Sequence, residues 1–378
     1  MRTDSDRRIV MTLDAGGTNF VFSAIQANQE IVEPITLPSG AHDLATCLRT
    51  IVEGFSQVKK SLREEPVAIS FAFPGPTDYG AGIVGDLGNL PAFRGGVALG
   101  PMLRERFGLP VFLNNDGDLF AYGEAIAGFL PYVNEKLRAA GSGKRYRNLF
   151  GITLGTGFGG GIVRDGDLFL GDNGAAAEIW LMRNKLHGRT FAEEGASIRA
   201  VERVYLAHAK ATPAQVPTPK EIYQFACGTA AGDREAALRA FRELGQTVGD
   251  ALANAITLID GLIVIGGGLA GAAALFLPTL VEEMNGTIEN LQGQPIARLE
   301  LKVFNLEDER EMAAFLRGEA RQITIPGMNK TVVYDPLKRI GIGIARLGTS
   351  RAVAVGAYAF ALRALEMGES SDGRLTDH

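Results

Sequence analysis

Asp14-Ala15-Gly16-Gly17-Thr18-Asn19 lies directly between two apolar runs, residues 9–13 and 20–25, and this spacing folds as strand, tight turn, strand. Gly16 and Gly17 let the backbone take positive φ and approach a ligand closely, while the Thr18 hydroxyl and the neighbouring N–H groups suit phosphate oxygens. Asp14, at the strand end, suits a magnesium ion held through water. An ordinary hairpin turn has the same local appearance.

Two further glycine clusters also adjoin strand-like runs. Residues 149–154 lead into Gly155-Thr156-Gly157-Phe158-Gly159-Gly160-Gly161 and then Ile162-Val163. Residues 262–265 lead into Gly266-Gly267-Gly268, and residues 269–277 after them have the composition of a helix. Neither cluster carries the Lys-Ser/Thr of a P-loop or the spacing of a dinucleotide-binding fingerprint. The arrangement predicts two phosphate turns and one adenosine-side turn converging on one nucleotide. With 48 glycines in the chain, three unrelated turns are the alternative.

A chain of 378 residues is long enough for two hydrophobic cores. A formal charge of −5, with no concentrated basic face, excludes a nucleic-acid-binding surface. Cys47, Cys227, His42, His187, His208 and His378 show no metal-ligand spacing, so no zinc site is expected. Two scattered cysteines fit a reducing compartment, each as a small buried hydrophobe. Residues 1–8 are polar and charged, unlike a signal peptide, and the expected location is cytoplasmic. Residues 261–280 carry no charge, yet their glycines and Pro278 read as a buried strand, turn and helix rather than a membrane span.

Periodicity predicts strands at 9–14, 20–26 and 30–36, a helix over 42–61, and a strand over 67–73. A loop-rich stretch then reaches residue 104, before a strand at 111–113 and a helix over 117–128. The second half repeats the pattern: strand, turn and strand over 149–164, a helix over 232–257, a strand at 262–265 and a helix over 269–285. Residues 134–147 read as a solvated connection, 305–311 as an exposed acidic helix start, and 320–346 as an extended or hairpin insertion. The alanine-rich final helix, 349–366, must be buried against something.

Asn114-Asn115-Asp116 follows the strand at 111–113, and ligands of open α/β sheets gather at the carboxyl ends of strands. Asp116 there could accept a proton from a substrate hydroxyl. Capping of the following helix, by Asp116 or Asp118, is the competing role.

Seven stretches occur in one order: Asp14 to Thr18, Phe73-Pro74-Gly75-Pro76, Asn89-Leu90-Pro91, Asn115-Asp116, Gly155 to Gly161, Ala177-Glu178-Ile179 and Gly266 to Gly268. In this order the chain resembles the ROK family of repressors, open reading frames and kinases. Residues 352–357 are similar to the start of that family's last helix. The resemblance implies an α/β fold of two actin-like, ribonuclease-H-like domains with a central cleft that closes over a sugar, ATP and magnesium. Residues 1–116, joined by the final helix at about 349–367, would form one domain. Residues 117–348 would form the other, with insertions at about 134–147 and 305–346.

By the same resemblance Asp116 is the general base of a sugar kinase acting on a hexose or N-acetylated amino sugar. Asn115, Asp116, Glu178 and Glu193 contact sugar hydroxyls, with Gly75 and Asn89 lining the pocket. Asp14, Gly16, Gly17, Thr18, Gly155, Thr156, Gly157, Gly266, Gly267 and Gly268 hold the nucleotide, and Asp14 the magnesium. This sequence departs from the zinc-bearing members: Trp180-Leu181 stands where they have Gly-His after the glutamate, and His187 to Ala192 replaces their cysteine cluster. Glu194 is the alternative to Glu193 under a one-residue slip. Trp180 either stacks on a sugar ring or is a core aromatic.

A non-catalytic sugar-sensing regulator of the same family is the alternative function. Such regulators carry an N-terminal helix-turn-helix domain, whereas the first phosphate motif here begins at residue 14, which favours the enzyme. No membrane or nucleic-acid partner is expected. Family habit implies a homodimer or homotetramer.

Overall fold

Apolar, β-branched runs form strands buried on both faces, and the glycines or polar residues at their carboxyl ends turn the chain away. The computed structural model describes residues 3–75, 77–87, 90, 92–210 and 215–368. Two compact units result: Met1–Gly128 with Gly161–Ala177 and Leu347–His378, and Phe129–Gly160 with Glu178–Arg346. The expected crossing after residue 116 differs from these bounds, since the helix that follows stays with the first unit.

The first unit opens with β1 (Val10–Ala15), β2 (Asn19–Gln26), β3 (Gln29–Glu30) and β4 (Ile35–Pro38). Next come α1 (Leu44–Ser61), β5 (Ala68–Ala72), a small hairpin of β6 (Thr77–Asp78) and β7 (Ile83–Val84), α2 (Leu99–Phe107), β8 (Val111–Asn114) and α3 (Asp116–Ile126). The sheet runs in the order β3-β2-β1-β5-β8, with β4 also on β2. β1, β5 and β8 are parallel neighbours, whereas β1 and β2 form the predicted antiparallel hairpin. Residues 30–36 form two short strands rather than one. The loop-rich reading of 77–104 missed α2, whose Gly100 and Pro101 mask the helical pattern.

One sheet face packs on α1 through Phe22, Phe55 and Phe71, whose rings meet at centroid distances of 5.2 and 5.8 Å. Such aromatic pairs add about 0.5–1.5 kcal/mol each beyond area burial. The final helix, labelled α10 below (Thr349–Met367), packs on the other face, with Tyr358 and Leu362 against Val10, Ile25 and Phe112. α10 and α3 cross at van der Waals contact because both lack side chains at the crossing. A Cβ on Gly123 would lie 1.9 Å from the Ala352 carbonyl oxygen, and one on Gly356 1.9 Å from that of Leu119. This contact is what keeps α3 in the first unit.

The second unit starts with α4 (Phe129–Ala139), whose Phe129, Val133 and Leu137 bury one face, so the connection expected over 134–147 is helical in its first part. β9 (Leu149–Leu154) and β10 (Phe158–Arg164) follow; β10 begins in the second unit and ends in the first, where it pairs with β11 (Asp167–Phe169). The helical layer comprises α5 (Ile198–His208), α6 (Pro219–Cys227) and α7 (Arg234–Ile259). Neither α5 nor α6 was anticipated. Then come β12 (Leu262–Gly266), α8 (Ala273–Met284), the hairpin β13 (Thr287–Glu289) and β14 (Pro295–Ala297), β15 (Lys302–Asn305) and α9 (Glu309–Arg317).

A second hairpin, β16 (Arg321–Thr324) with β17 (Thr331–Tyr334), realises the insertion expected after residue 320. β18 (Arg339–Ile344) corrects that expectation, because it is a buried strand lying parallel between β12 and β15. Its alternating glycines are needed for space: a Cβ on Gly341 would meet Leu306 at 2.3 Å. Cys47 is buried as expected, but Cys227 is exposed. No helix of the described residues is long and apolar enough to cross a membrane.

Candidate active site

In the first unit the carboxyl ends of β1 and β8 place two carboxylates close enough to interact. Asp14 is the penultimate residue of β1, and the chain turns at Gly16 and Gly17 into β2. The turn is held from behind: Ser39 Oγ donates to the Gly17 carbonyl at 2.6 Å, and the Ser39 N–H donates to the Thr18 carbonyl at 2.9 Å. Gly17 and Thr18 are exposed, so their outward polar groups are available to a ligand.

Asn115 and Asp116 share the start of α3. The side chain of Asn115 is the cap, its Oδ1 accepting the Gly117 N–H at 2.7 Å, and Asp116 Oδ1 accepts the same N–H at 2.9 Å. Capping, anticipated for Asp116 or Asp118, therefore falls mainly to Asn115. One oxygen of Asp116 is thus fixed by the helix start. Asp14 keeps an exposed surface, yet partial desolvation by its surroundings and the nearby Asp116 carboxylate push the Asp14 carboxyl above its ordinary value. Two carboxylates held this way attract a cation.

Buried Asn114, the first residue of the Asn114-Asn115-Asp116 stretch and given no role of its own, has neither side-chain Nδ2 nor Oδ1 bonded among the described residues. Gly75 is exposed at the end of β5, where Thr77 Oγ1 donates to the Pro74 carbonyl at 2.9 Å. Asn89 lies outside the described residues, as do Pro76 and Pro91.

In the second unit, β9 and β12 are parallel neighbours with Thr153 opposite Gly266, which brings the second and third glycine clusters together. A Cβ on Gly155 would stand 3.9 Å from the Gly268 nitrogen. Gly267 has φ of +87°, and a Cβ there would meet the Leu154 carbonyl oxygen at 2.3 Å, so only glycine fits. The Gly155 N–H donates to the Gly157 carbonyl at 3.0 Å, closing the turn with Thr156 exposed at its tip.

Glu193 braces that turn. Its Oε2 accepts the Phe158 N–H at 3.0 Å, and its Oε1 accepts from Arg199 at 2.9 Å. A Cβ on Gly157 would come within 2.8 Å of Glu193 Oε2, so the glycine makes room for the brace. Glu194 points instead to Arg203, at 3.0 Å.

Glu178 is exposed and follows Ala177, whose φ of +62° is strained for alanine. Its Oε2 accepts the indole N–H of Trp180, and the Trp180 ring meets Phe191 edge-on at 5.7 Å. Trp180 is half-buried and tethers the carboxylate, a role that motif reading missed because it depends on the fold of residues 178–191. Among the described residues no three His, Cys, Asp or Glu side chains cluster as metal ligands.

The chain is 56% identical to a glucokinase from Parabacteroides distasonis of known structure, with a TM-score of 0.87 over 96% of this chain and 99% of that one. It is 27% identical to a glucokinase of Thermotoga maritima over 72% of this chain and 86% of that protein. Similarity to an N-acetyl-D-glucosamine kinase of Vibrio vulnificus reaches 32% over 45% of this chain and about half, 51%, of that protein. The fold is the two-domain actin-like α/β architecture of these kinases. With a sequence model that matches residues 10–313, the chain belongs to the ROK family.

Proposed function

We propose that this chain is an ATP-dependent sugar kinase that phosphorylates a hydroxyl of a hexose or N-acetylated hexosamine. The observation that carries the reading is the pair of interacting carboxylates, Asp14 and Asp116, at the carboxyl ends of two parallel strands. The names of the 56% identical and more distant relatives agree with it.

Asp116 is the general base: its carboxylate takes the proton of the sugar hydroxyl as the hydroxyl oxygen attacks the γ-phosphoryl group. Asn115 orients the acceptor. Gly16, Gly17 and Thr18 in the first unit offer N–H and hydroxyl donors to phosphate oxygens, as do Gly155, Thr156 and Gly157 in the second. Gly266, Gly267 and Gly268 border the adenosine side. Asp14 would hold magnesium, whose charge neutralises phosphate oxygens when bound; crowded carboxylates fit such an ion.

Glu178 accepts sugar hydroxyls from its Trp180 tether, and Glu193 offers what remains of its carboxylate after bracing the phosphate turn. Gly75 and Asn89 line the sugar pocket. The cytoplasm is the proposed location and a dimer or tetramer the proposed assembly.

The test is magnesium-dependent ADP release from ATP across hexoses, ketohexoses and N-acetylated amino sugars, with Asp116→Asn alongside. Sugar-dependent release reduced by about 10²–10⁴-fold in the variant is expected. A sugar that raises the melting temperature without stimulating release by the unaltered protein would instead support a sensor.

A further inference from the structure

We propose that the first unit holds a second small-molecule site, under the N-terminal turns of α10, which takes a phosphorylated polyol of the sugar phosphate class. A cavity of about 470 Å³ lies there between α10 and the β1–β2 face of the sheet. Its size falls within the range of about 300–1,000 Å³ typical of small-molecule sites. Of the candidate catalytic and nucleotide-binding residues it contains only Asp14.

The sheet floor of the cavity sets two hydroxyl side chains, Thr12 and Ser23, among apolar Leu13, Val21, Ile25 and Ala72. Thr12 stands opposite Ser23 in the β1–β2 register. The neighbouring row of Val10, Ile25 and Ala68 packs as normal core together with Phe112, which stands opposite Ser70. Ser23 is 4% exposed and Asn28 8% exposed, both line the cavity, and neither Ser23 Oγ nor Asn28 Oδ1 has a hydrogen-bond partner among the described residues. Buried polar groups are almost always bonded, so each of these atoms calls for a partner that the chain does not supply.

Backbone strain delivers Asn28. Ala27 and Asn28 form the two-residue turn between β2 and β3 with φ of +50° and +63°. Asparagine suits that conformation and alanine does not. The Ala27 N–H is held by Tyr358 Oη at 3.1 Å.

The opposite wall suits an anion. α10 is 19 residues long and begins after Gly348 with no side-chain cap, so the positive end of its dipole lies at this wall. Ser350 and Arg351 of that turn line the cavity, and Arg351 Nη2 donates to Gln29 Oε1 at 3.3 Å. Asp14 and Glu30 also line it. Their charge disfavours a bare anion; a ligand with one phosphoryl group toward α10 and hydroxyl donors toward the carboxylates, Asn28 and Ser23 satisfies the whole set. If the chain is a kinase, occupancy next to Asp14 gives such a ligand a means of feedback on turnover.

Calorimetric titration with glucose 6-phosphate tests the site directly, using the full chain, Ser23→Ala, Arg351→Ala and Asp116→Asn, with inorganic phosphate as a separate arm. Affinity should fall about 3- to 10-fold in Ser23→Ala and about tenfold or more in Arg351→Ala, as expected for loss of a neutral and a charge-assisted hydrogen bond. Two binding events are expected in the unaltered protein if the sugar pocket also takes the ligand, and Asp116→Asn should weaken only the event that Ser23→Ala and Arg351→Ala leave intact. Ser23→Ala should melt no lower than the unaltered protein, because the hydroxyl removed has no partner. Equal affinity across the unaltered protein, Ser23→Ala and Arg351→Ala, or no binding at millimolar concentration, would overturn the site. Inorganic phosphate binding as tightly as the sugar phosphate would overturn the ligand class. Binding is read without turnover, so a chain with no kinase activity still gives a clear result.

Discussion

Gly356→Ala tests whether the α3–α10 crossing sets the position of the proposed base. The added methyl would lie 1.9 Å from the Leu119 carbonyl oxygen, whereas an ordinary contact needs about 3.4 Å, so α3 must shift by about 1.5 Å. Overpacking of this kind costs about 1–3 kcal/mol, and here both sides are backbone, which places the variant at the upper end. For a unit of this size about 3 kcal/mol lowers the melting temperature by roughly 6–12 °C. α3 begins with Asp116, and a displacement of about 1 Å at a reacting group can cost on the order of 10²-fold in rate. Differential scanning calorimetry and single-turnover phosphorylation should therefore both register a substitution on a helix that holds none of the proposed catalytic groups. Gly271→Ala, where a methyl would meet nothing within 4 Å, is the control. If Gly356→Ala melts and turns over like that control, the crossing does not position the base and the reasoning fails.

Glu193→Ala should raise KM for ATP by about tenfold, because the Phe158 N–H at the second phosphate turn loses its acceptor; Glu193→Gln, which can still accept that bond, should recover most of it. Asp14→Asn should raise the melting temperature of the magnesium-free protein at pH 7. Its folded pKa is raised, so the stability it contributes is present when protonated and lost as pH rises; the gain should shrink as pH falls into the carboxylate range and reverse when magnesium is added. Arg339 is buried, bonds Asp335 at 2.6 Å and the Phe315 carbonyl at 2.7 Å, and its loss in Arg339→Ala should cost about 3–5 kcal/mol in urea unfolding.

The sequence by itself determined the elements whose chemistry is local. Glycines at 16 and 17 after an apolar run, Asn115-Asp116 after another, and the clusters at 155–157 and 266–268 each announce a strand end and a turn, because a tight turn needs its special residues within a few positions. Family membership followed from their order. The buried final helix was equally legible, since an alanine-rich run with so few charges has to be covered.

Tertiary structure alone decided how those pieces meet. β18 was misread because Arg339-Ile340-Gly341-Ile342-Gly343-Ile344 owes its strand to two parallel neighbours, and its glycines to Leu306 and Phe129. The bracing of the second phosphate turn by Glu193 links residues 35 positions apart. Ser23 is an unremarked serine in the sequence, and only the sheet register and α10 turn it into an unbonded hydroxyl on a cavity wall. Local turn chemistry is written in adjacent residues, whereas partners for buried groups come from strand order and helix packing, and no short window of sequence contains them.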